Sequence, residues 1–271
     1  MCGICGVIEM GGQEARVSVI HSMMAAMKHR GPDDEGVSIN NNVGLGFVRL
    51  SILDLSSAGH QPMVSKDERY VLVYNGEVFN YLELRMLLQK KGYSFHTGTD
   101  TEVVLNAYIE WGQDCLHRFN GMWALAVYDR QEKSLFISRD RYGIKPFYYY
   151  CDSHIFAFSS EIPSLLKALP DKPGANEQAI FDYLVFNRTD QTEETFFRGI
   201  QKLQHGCNLL IKDCSVKKQK IEINKWYNLR EQTEKCNGFS DSEEFHALLS
   251  NAVALRLRSD VPVGVCLSGG L

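Results

Sequence analysis

Residues 1–10 read MCGICGVIEM, and in this stretch a cysteine directly follows the initiator methionine. Cysteine is small enough at position two for the methionine to be removed, and Cys2 would then carry a thiol and a free α-amine. An amine with an ordinary pKa of about 7.7–8.0 can accept the proton of a thiol with an ordinary pKa of about 8.5. Such a residue supplies both nucleophile and base for acyl transfer from an amide. The alternative is that Cys2 is only a small side chain beside a buried first strand.

The composition is that of a globular protein. The 271 residues are 44% hydrophobic and 23% charged, with a net charge of −4, and Lys and Arg are scattered along the chain. These values exclude a disordered chain and a basic nucleic-acid surface. The apolar runs are far shorter than the ~20 residues of a membrane helix, and no basic and apolar leader opens the chain. We therefore expect a cytoplasmic protein with no nucleic-acid and no membrane partner.

The eight cysteines are irregularly spaced, and a chain of this length can bury a core without covalent staples. We therefore expect reduced thiols. Cys2 and Cys5 form a C-x-x-C pattern, but a structural zinc site requires a second pair of ligands at matching spacing. The sequence contains no such pair, so no metal site is expected.

Short runs rich in Val, Ile, Phe and Tyr alternate with helical patterns through the first two thirds of the chain. Several runs are apolar on both faces, as expected for a sheet covered on each side. Helical spacing of apolar residues marks residues 17–30, 81–92 and 98–112. The last of these begins with Thr99-x-x-Glu102, a capping-box pattern. The pattern predicts a mixed α and β protein with sheets between helices.

The composition changes near residue 212, and we interpret residues 229–240, which are polar and unpatterned, as a linker. A further helix is expected to start at Ser240, with Glu243 three residues on. It is followed by VPVGVCLSGG (261–270), which predicts a buried strand and a Ser-Gly-Gly turn that can approach a phosphate. A strand and turn without the rest of their sheet cannot form a stable domain. We therefore expect the chain to be the front part of a longer protein.

Four further residues carry functional groups suited to an amide substrate that bears a carboxylate and an ammonium group. Asn75 and Gly76 follow an apolar strand, and a side-chain amide with a glycine N–H can hold an oxyanion; the alternative is an ordinary Asn-Gly turn. Arg49 ends another apolar strand and can bind a carboxylate, or it is a plain surface residue. Asp100 begins a helix, where it can take an ammonium group or serve only as a cap.

Together these motifs resemble the class II glutamine amidotransferases. The motifs that carry the resemblance are ordered along nearly the whole chain. They are MCGICGV (1–7), HRGPDDEG (29–36), RLSILDL (49–55), YNGEVFNY (74–81), GTDTEV (98–103), FNGMWALAVYD (119–129), RDRYGIKPFYY (139–149) and FSSEIPSLL (158–166). Within that class, SDVPVGVCLSGGL (259–271) resembles the start of the nucleotide loop of the glutamine-hydrolysing asparagine synthetase family.

The resemblance implies an α+β fold class and a division of the chain into two domains. Residues 1–228 are expected to form a glutaminase domain with the four-layer αββα architecture of the N-terminal-nucleophile hydrolases. After the linker at 229–240, residues 241–271 are expected to provide the first helix and strand of a truncated α/β domain of the ATP-pyrophosphatase type.

The resemblance also implies a role for each matching residue. Cys2 is the expected nucleophile, and Asn75 and Gly76 form the oxyanion hole. The residues expected to bind the glutamine carboxylate are Arg49 and the backbone of Leu50, Ser51, Ile52 and Leu53. Glu77 and Asp100 hold the amino end, while Arg30 and Gly31 lie near the nucleophile. The ATP site is expected to begin at Cys266, Leu267, Ser268, Gly269 and Gly270.

The implied reaction is hydrolysis of glutamine to glutamate and ammonia through a thioester, for which this half requires no cofactor. In the full protein the ammonia would amidate aspartate activated by ATP and Mg²⁺, and a homodimer is compatible with this reading. Because the chain ends at Leu271, the fragment is expected to act as a glutaminase only. Two alternatives stay open: an acceptor carboxylate other than aspartate, and a non-catalytic partner with a vestigial pocket.

Overall fold

Two six-stranded sheets form the centre of the protein in residues 1–216, 220–266 and 269, the part of the chain that the computed structural model describes. Every strand pairs antiparallel with its neighbours. The strands are β1 (Gly3–Glu9), β2 (Asp34–Asn40), β3 (Val43–Arg49), β4 (Met63–Val64), β5 (Tyr70–Val78), β6 (Gly121–Asp129), β7 (Ser134–Arg139), β8 (Tyr148–Cys151), β9 (Ile155–Ser159), β10 (Ile200–Lys202), β11 (Cys207–Ile211) and β12 (Ile221–Lys225). The strand order is β10-β8-β9-β1-β3-β2 in the first sheet and β12-β11-β7-β6-β5-β4 in the second.

Eight α-helices lie among the described residues. They are α1 (Val17–Ala26), α2 (Tyr81–Lys90), α3 (Asp100–Trp111), α4 (Cys115–Arg118), α5 (Ile162–Leu165), α6 (Glu177–Phe186), α7 (Leu229–Lys235) and α8 (Ser242–Arg256). Helices α1 and α5 pack on the first sheet, and α2 and α3 pack on the second. The order of layers is therefore helix, sheet, sheet, helix, which confirms the expected αββα architecture.

Three apolar cores separate the four layers, and β1 shows how one strand serves two of them. Ile4 and Ile8 lie in the core between the sheets, while Cys5 and Val7 pack towards α1 in the outer core. Alternate side chains of a strand point to opposite faces, so a strand covered on both sides is apolar at every position. This explains why the sequence showed strands that are apolar on both faces.

The start of one helix agrees with the sequence prediction, and the start of another differs from it by two residues. The Thr99 side chain accepts the Glu102 N–H at the start of α3, as the capping-box pattern predicts. The last helix, α8, begins at Ser242 rather than Ser240. Its N-cap is Asp241, which accepts the Glu244 N–H at 2.8 Å. An Asp directly before a helix caps it well, so Asp241 takes the role predicted for Ser240.

The predicted strand at the end of the chain is wrong for the residues that the structure describes there. Residues 261–266 form no strand, and the side chains of Val263 and Val265 are 50% and 71% exposed. A strand requires a neighbour for its N–H and C=O groups, and no described strand lies beside this segment. The interval 229–240, predicted as a linker, contains helix α7. The domain limits themselves stay predictions.

Asp140 fixes the loop between β7 and β8 to the second sheet. Its buried carboxylate accepts the N–H groups of Trp123 (3.2 Å) and Lys145 (3.0 Å) on Oδ2 and those of Tyr142 and Ile144 (both 3.0 Å) on Oδ1. A carboxylate that accepts several backbone N–H groups is well satisfied although it is buried. The loop that ends at Lys145 is therefore held in one conformation.

We expect Asp140→Ala to lower the free energy of unfolding by about 3 kcal/mol, because buried amides lose a charged acceptor. Chemical denaturation followed by circular dichroism measures this change. Asp171→Ala is the matched control, since Asp171 is exposed and forms no hydrogen bond or ion pair within the described residues. Equal stability of the two variants would contradict the anchoring role.

Candidate active site

A cavity of about 310 Å³ lies where the first residues of the chain meet the middle of β5. The first sheet contributes one wall and the second sheet the other. The cavity brings together most of the residues that the sequence predicted for the site. Those that line it are Cys2, Arg49, Leu50, Ile52, Leu53, Asn75, Gly76, Glu77 and Asp100. Ser51 does not line the cavity, and its N–H instead donates to Asp33 Oδ2 at 2.7 Å.

The Cys2 thiol contacts the backbone just beyond β3. The Leu50 N–H donates to Sγ at 3.4 Å. The thiol in turn donates to the Leu50 carbonyl oxygen, which lies 3.5 Å from Sγ. Burial raises the pKa of the Cys2 thiol, whereas the Leu50 amide, the chain's amino group and Lys145 act to lower it. Burial also lowers the pKa of the Met1 α-amine, which lies close enough to interact with the thiol. The chain's amino group and its candidate nucleophile therefore share one cavity.

Arg30 holds the backbone of the nucleophile, and Gly31 packs against the end of β3. Arg30 Nε donates to the Cys2 carbonyl oxygen at 2.9 Å, and Nη1 donates to Glu161 Oε1 at 2.8 Å. A Cβ on Gly31 would lie 2.3 Å from the Val48 carbonyl carbon, so only glycine permits this close approach. Burial acts to raise the pKa of Glu161, but the hydrogen bonds from Arg30 and His29 hold it below its ordinary value.

Asn75 and Gly76 lie inside β5 rather than in a turn, because β5 continues to Val78 and pairs with β6 throughout. The reading of these residues as a turn at a strand exit is therefore wrong. Asn75 is 1% exposed, and its Nδ2 has no hydrogen-bond partner among the described residues. An unpaired buried donor is costly, so the fold holds it there against a free-energy penalty. This amide is available to a ligand in the cavity.

The Gly76 N–H points to the same side of β5 as two N–H groups whose partners are known. Tyr74 N–H donates to Gln61 Oε1 at 2.7 Å, and Val78 N–H donates to Asp100 Oδ2 at 2.9 Å, both away from β6. Alternate N–H groups of an antiparallel strand point to the same edge. The Gly76 N–H therefore lies between these two, facing the cavity. Together with Asn75 Nδ2 it provides two neighbouring donors.

Two carboxyl groups lie at the end of the cavity beside these donors. Asp100 Oδ2 accepts the Tyr74 hydroxyl at 2.8 Å as well as the Val78 N–H, and burial raises the pKa of Asp100 in spite of these bonds. Burial and the neighbouring Asp100 raise the pKa of Glu77 to about 7, while Lys145 acts to lower it. The N-cap of α3 is Thr99, so capping does not account for the Asp100 carboxylate.

Arg49 is 5% exposed, which rules out the plain surface residue that the sequence left open. Its Nη1 donates to the Ser56 carbonyl at 2.7 Å, and its Nη2 donates to the carbonyls of Leu53 and Asp54. A Cβ on Gly59 would lie 2.0 Å from Nη2, so a glycine is required beside the guanidinium. These contacts leave Nε and one Nη1 hydrogen as donors within the described part of the chain. Arg49 therefore holds the loop that follows β3 and still has donors for an anion.

Sequence reasoning missed two polar residues of the cavity wall. Lys145 is 6% exposed, and burial lowers the pKa of its ammonium while Cys2 and Glu77 act to raise it. A lysine between Ile144 and Pro146, in an otherwise apolar run into β8, was the available signal. Gln61 binds both the N–H and the C=O of Tyr74, and its sequence context indicated only a turn.

Of the predicted nucleotide residues, Cys266 and Gly269 are described, and neither lines this cavity. Cys266 is exposed, and Gly269 has a φ of +114°, which suits glycine. Leu267, Ser268 and Gly270 lie outside the described residues. Within residues 1–216, 220–266 and 269, no group of three or more His, Cys, Asp or Glu side chains is placed to hold a metal ion. The helices described there are all too short or too polar to span a membrane.

Comparison with known proteins gives matches to two family models. Residues 1–227 match the glutamine amidotransferase domain, and residues 244–271 match asparagine synthase. Among curated proteins, "Putative asparagine synthetase (glutamine-hydrolyzing) 2" of Methanocaldococcus jannaschii is 41% identical over 291 residues, which cover all of this chain and 55% of that protein. Asparagine synthetase (glutamine-hydrolyzing) 3 of Bacillus subtilis is 36% identical over 280 residues, covering 44% of its length. The chain thus spans about half the length of these relatives.

A solved structure shares the fold. Glutamine phosphoribosylpyrophosphate amidotransferase from B. subtilis, complexed with ADP and GMP, superposes with a TM-score of 0.60 at 16% identity. The superposition covers 83% of this chain and 49% of that one. The two sheets and their helical layers therefore recur in an enzyme of low sequence similarity.

We expect Gly76→Ala to destabilise the protein by about 1–3 kcal/mol, because overpacking forces the surrounding backbone to move. The new Cβ would lie 2.5 Å from the Met122 carbonyl oxygen and from the Tyr74 ring. Thermal and chemical denaturation measure the effect. Gly174→Ala is the control, since its Cβ would meet only Arg198 Cδ at 3.9 Å. A Gly76→Ala variant as stable as this control would refute the close packing of β5 against β6.

Proposed function

The chain belongs to the glutamine amidotransferase domain family, and from this premise we propose that its cavity hydrolyses glutamine to glutamate and ammonia through a thioester on Cys2. One observation carries the proposal. The Cys2 thiol shares a cavity with Asn75, whose buried Nδ2 has no partner among the described residues. A nucleophile and an unused donor in one cavity are the elements that acyl transfer from an amide requires.

The proposed reaction starts once Met1 has been removed, so that the amine belongs to Cys2 itself. The amine takes the thiol proton, and the thiolate sulfur attacks the side-chain carboxamide carbon of glutamine. The resulting oxyanion accepts hydrogen bonds from Asn75 Nδ2 and the Gly76 N–H, a type of stabilisation worth about 2.7–4 kcal/mol per donor. The amine returns its proton to the leaving nitrogen as the C–N bond breaks, which releases ammonia and leaves a thioester.

Water completes the cycle. The amine accepts a proton from a water molecule as its oxygen attacks the thioester carbonyl, and the same two donors hold the second oxyanion. The C–S bond then breaks, the sulfur regains a proton from the ammonium group, and glutamate leaves. The Lys145 ammonium favours the thiolate form of Cys2 in both half-reactions, because opposite charges attract more strongly where both groups are buried.

The charged side chains that line the cavity suit the two charged groups of glutamine. The carboxyl groups of Glu77 and Asp100 suit the α-ammonium, while the remaining donors of Arg49 suit the α-carboxylate. The Ser51 N–H is already bound to Asp33 and the Leu50 N–H to Cys2 Sγ, so the expected backbone contribution falls to Ile52 and Leu53. This arrangement directs the side-chain amide of glutamine towards Cys2.

For the whole protein we propose glutamine-dependent asparagine synthesis in the cytoplasm, with ammonia amidating ATP-activated aspartate. The names of the two relatives and the match at residues 244–271 support this extension. ATP and Mg²⁺ would be used beyond the glutaminase cavity, where residues 266–270 would begin the ATP site, and a homodimer is compatible with this activity. An acceptor carboxylate other than aspartate is the alternative, which the sequence after residue 271 would decide.

We expect Cys2→Ser to lower glutamine hydrolysis by at least about 10³-fold without loss of folding, because a hydroxyl that ionises far less readily replaces the nucleophilic thiol. A coupled glutamate assay measures turnover. A diazo-ketone analogue of glutamine should label Cys2 in the wild type, and intact mass should show the loss of Met1. Cys151→Ser is the control, since that cysteine is exposed and outside the cavity. Labelling of Cys5 instead, or turnover by Cys2→Ser, would exclude Cys2 and favour a vestigial pocket.

We expect glutamine affinity to rise with pH between 6 and 8, by up to about tenfold, because Glu77 must lose its proton to bind an ammonium group. Its pKa of about 7 places this ionisation within that range. Calorimetry in a Cys2→Ala background isolates binding from chemistry. Glu77→Gln should flatten the dependence, whereas Glu14→Gln, at an exposed site, should preserve it. A slope unchanged in Glu77→Gln would assign the ionisation to another group.

A further inference from the structure

A segment near the end of the chain contacts the loop that forms one wall of the cavity. Asp260 Oδ2 accepts the Asp54 N–H at 2.7 Å, and the Asp260 N–H donates to the Ile52 carbonyl oxygen at 3.0 Å. Ile52 itself lines the cavity. One residue thus engages both a donor and an acceptor of this loop, 206 residues away in sequence.

Arg258 fixes the same segment to the residues that follow β5. It donates to both carboxylate oxygens of Glu83, at 2.7 Å and 2.6 Å, and to the Phe79 carbonyl at 2.7 Å. A bidentate pair of this kind has a defined geometry. Since β5 carries Asn75 and Gly76, Arg258 and Asp260 join the two sides of the cavity from outside.

The loop at 52–54 requires such support because of its backbone conformation. Asp54 has a φ of +52°, in the left-handed region that is unfavourable for a residue with a side chain. From within, Arg49 binds the carbonyls of Leu53, Asp54 and Ser56. From outside, Asp260 binds the Asp54 N–H and the Ile52 carbonyl, groups that Arg49 does not reach. The strained loop is therefore held on both sides.

We propose that Arg258 and Asp260 are positioning residues for glutamine binding, acting as a strap, residues 258–260, that holds the loop at 52–54 in its binding conformation. The inference rests on the proposed function, since it assigns to these two residues a part in the affinity of the cavity for glutamine. Because the strap lies within residues 244–271, which match asparagine synthase, it also links that part of the chain to the glutamine cavity. A change in the position of residues 258–260 is transmitted to the glutamine cavity through these hydrogen bonds.

The test combines kinetics with amide hydrogen exchange on the whole chain. Asp260→Ala should raise KM for glutamine about fivefold while kcat changes less than about twofold, because the strap acts on binding and not on Cys2. Exchange in the peptide containing Asp54 should accelerate in this variant. Asp260→Asn retains an oxygen acceptor and should restore both values. Glu243→Ala removes a carboxylate of the same region that does not contact the loop, and should match the wild type.

Each outcome decides the proposal. Unchanged exchange at Asp54 in Asp260→Ala would overturn the strap, and faster exchange with an unchanged KM would overturn its role in binding. Arg258→Ala should also raise KM for glutamine, so an unchanged or lower KM in that variant would contradict the proposal. A wild-type chain that does not hydrolyse glutamine counts against the proposed function alone. Hydrogen exchange at Asp54, compared between Asp260→Ala and the wild type, tests without substrate whether the strap holds the loop.

Discussion

The antiparallel register between β1 and β3 is the constraint on which the cavity depends. Gly3 lies opposite Val48, which places Cys2 beside the backbone of Leu50. A shift by one residue would exchange the two faces of β1 and move Ile4 out of the core between the sheets. The glycines of the opening motif reinforce this register. A Cβ on Gly6 would lie 2.4 Å from the Phe158 ring, so the strand fits its neighbours only as it is.

The cavity also depends on the packing of one sheet against the other. Cys2 and Arg49 belong to the first sheet or its immediate ends, whereas Asn75, Gly76 and Glu77 belong to the second. The apolar core between the sheets sets the distance between the nucleophile and the two donors. Burial there removes water from the charged groups, and this loss of hydration is the main reason why the pKa of Glu77 rises and that of Lys145 falls.

The sequence predicted the strands well wherever burial on both faces made every residue apolar, as in β1 and β6. It failed where neighbours decide the outcome. Asn-Gly is a common turn dipeptide, but at residues 75 and 76 pairing with β6 keeps the chain extended. The run at 261–266 is apolar enough for a strand, yet without a strand beside it the segment stays irregular. Local pattern cannot report whether a partner strand is present.

The sequence by itself determined the mixed α and β elements with sheets between helices, because apolar periodicity is a local property. Its resemblance to the class II glutamine amidotransferases, and not the pattern alone, predicted the four layers and a shared site for Cys2, Arg49 and Asp100. Only the tertiary structure decided that Lys145 lies in the cavity, that Arg49 spends most of its donors on the loop after β3, and that Asp260 reaches that loop. These relations join residues far apart in the chain. Their distances depend on how the sheets and helices pack, and no short stretch of sequence carries that information.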